Sequence, residues 1–237
     1  YGRVSDGMIC AEDELGLGTD HNGIMVLPEQ VNGRPQVLGA DAMEVLQARD
    51  EVLEIDVTPD IGYCLSMRGI ARETAQAFGV AFTDPYLIGR VGPSEGGYPI
   101  RLESENCTVF VALTIKDVDP DAPTPTWMAA RLVAAGMRSI SLDVDITNYV
   151  MLESGQPLHA YDADRLQGPI VVRQAAPGER LTTLDDVVRK LSPDDLLITD
   201  DSGPIGLAGV MGGQTTELAP TTRNIVLEAA RFDPVTI

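Results

Sequence analysis

Apolar positions recur at helical spacing in "LSMRGIARETAQAFG", where Leu65, Ile70, Ala71, Ala75 and Phe78 form a stripe. Ser66 stands where an N-cap belongs and Gly79 where a helix stops. "TPTWMAARLVAAG" repeats the pattern, with Thr124 as cap, Pro125 at the first helical position and Gly136 just past the end. Trp127, Arg131 and Leu132 are spaced for one face of that helix. "ADAMEVLQ", residues 40–47, predicts a short helix. "SISLDVDITNYVMLESG" predicts a strand passing into a helix that ends at Gly155. Alternation predicts a strand over Val52–Val57, closed by a turn at Pro59. "YPIRLES" and "CTVFVALTIKDV" predict a pair of strands. "PIVVRQA", "ERLTTL", "DLLIT", "GPIGLAGVMGG" and "NIVLEAA" add short strands separated by turns. Strands that follow one another with little helix between them predict an α+β fold, with mixed or antiparallel sheet layers and packed helices, rather than a doubly wound one.

The first 35 residues are rich in Gly, Asp and Asn and predict little regular structure. Residues 84–97, with Pro85, Pro93 and several glycines, predict a linker and a boundary near 90. There are no tandem repeats. The first and last residues, "YGRVSDGMIC" and "EAARFDPVTI", read as the interior of a longer chain.

Composition is that of a folded protein, with 44% apolar and 22% charged residues. No apolar run reaches the roughly 18–20 residues of a membrane span. Charge changes the picture more. Seventeen basic residues stand against 36 acidic ones, a net −19. Nonspecific nucleic-acid binding depends on Lys and Arg neutralising phosphates. This surface would repel a polyanion, so any RNA partner needs a local site. Cys10, Cys64 and Cys107 are odd in number and lack Cys-x-x-Cys spacing, and with two histidines they do not predict a metal site.

Candidate chemistry is sparse. "GLAGVMGG" is no phosphate loop, because no Lys-Ser or Lys-Thr follows it. Its small residues predict instead a backbone that something approaches closely. Glu228 lies in the apolar run "NIVLEAARF", so it is either paired structurally or at work in a site. His159 has no Ser or Cys nucleophile elbow near it. Thr147, Asn148, Gln156 and His159 surround a Gly-Gln-Pro break. Together these predict a pocket with Thr147, Asn148 and His159 on one side, Ala208 and Gly209 as a thin wall, and Glu228 as its carboxylate. No reaction follows from that constellation.

At these residues the sequence resembles the beta subunit of bacterial phenylalanyl-tRNA synthetase. "SDGMICAEDELGLG" resembles the end of its tRNA-binding OB-type domain, and "EIDVTPDIGYCLSMRGIARETA" its small first domain. "DVDITNYVMLESGQPLHAYDADRL", "LAGVMGG" and "NIVLEAARFDP" resemble its editing domain. The chain departs at Ile61, where many relatives carry Arg, and at Thr216, where Ser is common. The resemblance implies three segments: 1–35, a remnant of the OB-type domain; 36–90, a small α+β segment; and 91–237, the editing domain. It implies hydrolysis of tyrosine wrongly esterified to tRNA(Phe). Thr147, Asn148 and His159 would position water and substrate, and Glu228, Ala208 and Gly209 would bind the substrate. No metal or cofactor is implied in this segment. ATP and Mg serve phenylalanine attachment in the full cytoplasmic enzyme of two alpha and two beta subunits, whose alpha subunit activates phenylalanine. A free-standing hydrolase acting on mischarged tRNA, or a noncatalytic scaffold for the alpha subunit or RNA, remains open at this point.

Overall fold

Asp41 opens the first helix, α1 (Ala42–Val45), by accepting a hydrogen bond from the Met43 N–H at 2.9 Å. The computed structural model that shows this describes residues 7, 9–17, 21–27, 29–31, 34–46, 49–86 and 97–237. Contacts group residues 1–54 with 124–139 as one unit, and 55–123 with 140–237 as a second. The boundary expected near residue 90 lies outside the described residues.

Among its described residues the first unit is sparse in regular structure, as its Gly- and Asp-rich sequence predicts. Besides α1 it has a 3-10 turn at Asp13–Leu15 and a minimal hairpin of β1 (Gln30–Val31) and β2 (Arg34–Pro35). It also holds a later helix, Thr126–Ala134, preceded by Pro125. There Leu132 is fully buried, and the exposed Arg131 places its guanidinium 5.2 Å from the Trp127 ring.

The second unit begins at Ile55. The strand expected over Val52–Val57 does not form. Among the described residues nothing pairs with it, Leu53 is 82% exposed, and a 3-10 turn, Pro59–Cys64, follows. Alternation without a partner does not make a strand. Helix α2 (Met67–Phe78) has the expected ends: Ser66 Oγ accepts from the Gly69 N–H at 3.1 Å, and Gly79 adopts φ 64°. Its stripe is rotated from the expected one. Gly69 and Ala75 are buried, whereas Leu65 and Phe78 are exposed.

Strands β3 (Ile100–Leu102) and β4 (Cys107–Ile115) form as segments but do not pair with each other. β3 runs parallel to β6 (Ile170–Gln174), and β4 pairs with the last strand, β12 (Ile225–Phe232). With the Thr126–Ala134 helix counted as α3, the next helix is α4 (Leu142–Ser154). No strand precedes it, because Asp145 turns back to accept the Ile140 N–H at 2.9 Å. After Gly155, strand β5 (Leu158–Asp162) pairs antiparallel with β12, giving a three-stranded sheet in the order β4-β12-β5.

The second sheet has five strands in the order β11-β10-β9-β6-β3, with β9 (Leu196–Asp200), β10 (Gly203–Leu207) and β11 (Met211–Gly212). It is parallel only at β3–β6. Between β6 and β9 a hairpin of β7 (Arg180–Thr182) and β8 (Val188–Lys190) folds out. The two larger sheets share one core: Phe110, Tyr161 and Val226 meet Ile170, Ile198 and Ile205. Leu197 points the other way, into a second cluster with Leu181 and Leu191. β9 is therefore buried on both faces, which is why "LLIT" shows no alternation. The fold class is α+β with mixed and antiparallel sheets. Among the described residues no helix is long and apolar enough to cross a membrane.

Candidate functional site

Antiparallel pairing sets the chemistry. In the β5–β12 ladder His159 lies opposite Glu228, and Tyr161 lies opposite Val226. Directly opposed residues share a face and strand side chains alternate, so His159, Tyr161 and Glu228 all point to the same side. That side faces the five-stranded sheet. The turn and strand β10–β11 form the opposite wall of a cavity of about 220 Å³, lined by His159, Tyr161, Ile198, Gly209, Gly212 and Glu228 among others.

Glu228 is 6% exposed. Burial pushes its carboxyl up to about 7, and a hydrogen bond donated by the Tyr161 phenol to Oε2 acts in the opposite sense. Tyr161 is fully buried, and burial followed by the Glu228 charge pushes its phenol well above the usual range. Oε1 of Glu228 makes no hydrogen bond among the described residues. Burial pulls His159 down to about 4, so its ring is neutral at physiological pH. His159 as a whole residue is half-buried, but its Nε2 is sealed from solvent and has no hydrogen-bond partner among the described residues. That atom's environment governs the ring's protonation. The ring meets Tyr161 edge-on, with centroids 4.5 Å apart and planes at 79°.

Gly212 makes this arrangement possible. A Cβ built there would lie 2.4 Å from His159 Cε1 and 2.7 Å from Nε2. Only a residue without a side chain lets the imidazole lie against β11. The small-residue run does admit a close approach, and what approaches is His159.

The other expected residues are placed as follows. Gly209, at φ 69°, lines the cavity beside Ile237. Ala208 does not line it. Its N–H binds the Leu196 carbonyl at 3.0 Å, and its methyl lies in the shared core at 1% exposure. Thr147 and Asn148 sit on α4, which packs along β5, and neither lines the cavity. The Thr147 hydroxyl donates back to the Val144 carbonyl at 2.7 Å. Gln156, in the break, donates to the Ala230 carbonyl at 3.3 Å and so ties the α4–β5 turn to β12. Sequence reasoning missed Tyr161 and Gly212. The signal for Tyr161 was the two-residue spacing in "HAYD", which puts it beside His159 once β5 is a strand.

The chemistry available is that of a desolvated acceptor that ionises near neutral pH beside a neutral imidazole. No Ser, Thr or Cys side chain lines the cavity among the described residues.

Residues 106–237 match the family model of the B3/4 domain. The whole chain is 57% identical to the phenylalanine–tRNA ligase beta subunit of Cutibacterium acnes and 56% identical to that of Streptomyces avermitilis, spanning 28% of each relative's length. Among solved structures it is similar to an N-terminal fragment of the phenylalanyl-tRNA synthetase beta-subunit from Pyrococcus horikoshii. There the identity is 15% and the TM-score 0.43, over 79% of this chain and 60% of that one.

Proposed function

The chain belongs to the B3/4 domain family, and we infer that its cavity is the editing site of a phenylalanine–tRNA ligase beta subunit, hydrolysing tyrosine esterified to tRNA(Phe). The observation that carries this reading is Glu228, a buried carboxylate aimed into a small cavity with one oxygen unbonded. Tyrosine differs from phenylalanine by one hydroxyl, and an apolar pocket rejects an added hydroxyl by only about a hundredfold. A second site that hydrogen-bonds the hydroxyl can discriminate by roughly 10⁴ or more, because phenylalanine leaves the buried acceptor unpaired. The cavity volume supports an amino-acid side chain as guest, being below the roughly 300–1,000 Å³ of sites for larger ligands.

In this reading a water attacks the ester carbonyl. The bond from that carbon to the terminal ribose oxygen breaks, the ribose oxygen takes up the water's proton, and tyrosine leaves. The absence of a Ser, Thr or Cys side chain among the described lining residues supports water as the nucleophile, since the one hydroxyl there, the Tyr161 phenol, is engaged with Glu228. His159, held neutral, orients water or the ester. Thr147 and Asn148, which do not line the cavity, would act only indirectly, through the packing of α4 on β5. Residues 1–35 would belong to a tRNA-binding OB-type domain, 36–90 to a small α+β segment and 91–237 to the editing domain. The full cytoplasmic enzyme would join two alpha and two beta subunits, and use ATP and Mg to attach phenylalanine. This segment would take the acceptor end of tRNA(Phe) and need no cofactor.

The test is a mischarging assay with the assembled alpha–beta enzyme, given tyrosine, ATP and tRNA(Phe). The wild type should accumulate no Tyr-tRNA(Phe), and an enzyme with His159→Ala should accumulate it. Equal accumulation by both would sink the reading.

Gly212→Ala is expected to reproduce the His159→Ala defect, since its methyl would displace the imidazole. Each should slow Tyr-tRNA(Phe) deacylation by about 10- to 100-fold, at or below the low end of what a general acid–base group contributes, as befits an orienting group. The double variant should be no slower than His159→Ala alone. Fully additive losses in single-turnover rates would show that Gly212 acts elsewhere.

A further inference from the structure

The Tyr161 phenol lies on the same strand face as His159, two residues along, and reaches diagonally across to the carboxylate that His159 faces. Glu228 is thus bonded to Tyr161 and not to its direct cross-strand neighbour. A donor that occupies Oε2 leaves a single oxygen, Oε1, for a guest in the cavity. It also favours the ionised form of a carboxylate that burial otherwise disfavours.

We propose that Tyr161 is a positioning and specificity-determining residue of the editing site, whose phenol holds Glu228 in place as an ionised, single-oxygen acceptor for the substrate hydroxyl. This rests on the editing function inferred above. The phenol is well suited to the task. It is fully buried, its ring is braced edge-on by His159, and the surrounding core of Ile198, Ile205 and Val226 gives it no other course. A phenylalanine of the same shape would fill the space and donate nothing.

The groups that face Glu228 are few. From β5 come neutral His159 and Tyr161. From β4 comes Cys107, whose thiol is pushed up by burial first and then by the Glu228 charge. From β9, β10 and β11 come Ile198, Leu207 and Met211, which carry no charge. Among the described residues none of them is a cation, so the hydrogen bond from Tyr161 is what offsets burial of the carboxylate, which ionises at about 7 with that bond in place.

Removing the phenol should therefore move the ionisation of Glu228 upward and leave the shape intact. The direct measurement is ¹³C NMR titration of the Glu228 side-chain carboxyl in this chain, wild type against Tyr161→Phe. The kinetic one is single-turnover deacylation of Tyr-tRNA(Phe) and Phe-tRNA(Phe) by the assembled ligase from pH 6 to 9, corrected for spontaneous ester hydrolysis. The titration midpoint is expected to rise by about one pH unit, so the Tyr rate falls about fivefold at pH 7 and recovers by about pH 9. The Tyr-to-Phe rate ratio should fall and recover with it. In a Glu228→Gln background, Tyr161→Phe should leave the pH profile unmoved. An unmoved carboxyl midpoint, or an equal loss of rate at every pH, would overturn the proposal. A wild-type enzyme with no preference for Tyr-tRNA(Phe) would instead overturn the editing reading, and the carboxyl titration would still decide the role of Tyr161.

Discussion

Glu228→Ala is expected to slow hydrolysis of Tyr-tRNA(Phe) by about 10- to 150-fold while leaving Phe-tRNA(Phe) hydrolysis no slower, or faster. The magnitude is that of one charge-assisted hydrogen bond to a buried acceptor, about 1.5 to 3 kcal/mol. Burial makes the bond count, because a bound side chain fills the cavity and displaces the water that could otherwise replace a missing donor at Oε1. With phenylalanine bound, Oε1 stays desolvated and unpaired, and the alanine variant removes that penalty. Glu228→Gln is the finer comparison. It keeps volume and an acceptor oxygen, so it should retain part of the preference while losing the charge-assisted share. The measurement is kcat/KM for both aminoacyl-tRNAs with the three enzymes. A Tyr-to-Phe ratio that stays at the wild-type value in Glu228→Ala would assign hydroxyl recognition to another group.

The second large effect concerns stability and pH, and it follows from the opposite displacements of Glu228 and His159. Glu228 rises from its ordinary 4.5 to about 7 on folding. Its contribution to stability is complete below 4.5 and is lost as the pH climbs through about 7, since the folded chain keeps a proton that the unfolded chain has released. His159 falls from 6.5 to about 4. Its contribution is complete above 6.5 and is lost as the pH drops through about 4, since the unfolded ring is protonated and the folded ring is not. Between pH 4.5 and 6.5 folding binds one proton at Glu228 and releases one from His159, so the two slopes cancel. Each displacement corresponds to about 3 kcal/mol. Relative to wild type, Glu228→Gln should gain about 3 kcal/mol between pH 4.5 and 7, and His159→Gln about 3 kcal/mol as pH falls from 6.5 to 4. Urea unfolding of the three proteins at closely spaced pH values checks this. Differences from wild type that stay constant across the range would mean that both groups are solvated in the folded chain.

Local chemistry was legible in the sequence. Ser66 and Gly79 bound α2 because caps are satisfied within a few residues of themselves, and Gly155 ends α4 for the same reason. Pairing was not legible. Val52–Val57 alternates as a strand should, yet no described strand lies beside it. β3 and β4 are near neighbours in sequence, but β3 pairs with β6 and β4 with β12, a choice made by the whole core. The helical stripe of α2 was misjudged because Gly69 is the residue in contact: a Cβ there would fall 2.0 Å from the Tyr63 carbonyl oxygen.

The cavity was legible in part. Glu228 stood out as a carboxylate in an apolar run, and the two readings open to it, structural pairing or a role in a site, both describe its place. It is paired to Tyr161 and it lines the cavity. His159 and Gly209 join it there. Thr147, Asn148 and Ala208 were grouped with them by segment, whereas helix phase and strand alternation direct them elsewhere. Tyr161 needed the β5–β12 register before its contact with Glu228 could be seen.

The central claim is that this cavity reads a tyrosyl hydroxyl on an aminoacyl ester. Its most direct test is the single-turnover deacylation rate of purified ligase containing this chain, measured on Tyr-tRNA(Phe) and Phe-tRNA(Phe) under identical conditions at pH 7.5. The account predicts a rate on the tyrosyl ester at least about tenfold above that on the phenylalanyl ester, the worth of one buried hydrogen bond to a charged acceptor. Equal rates on the two esters, or no rate above spontaneous hydrolysis on either, would contradict it.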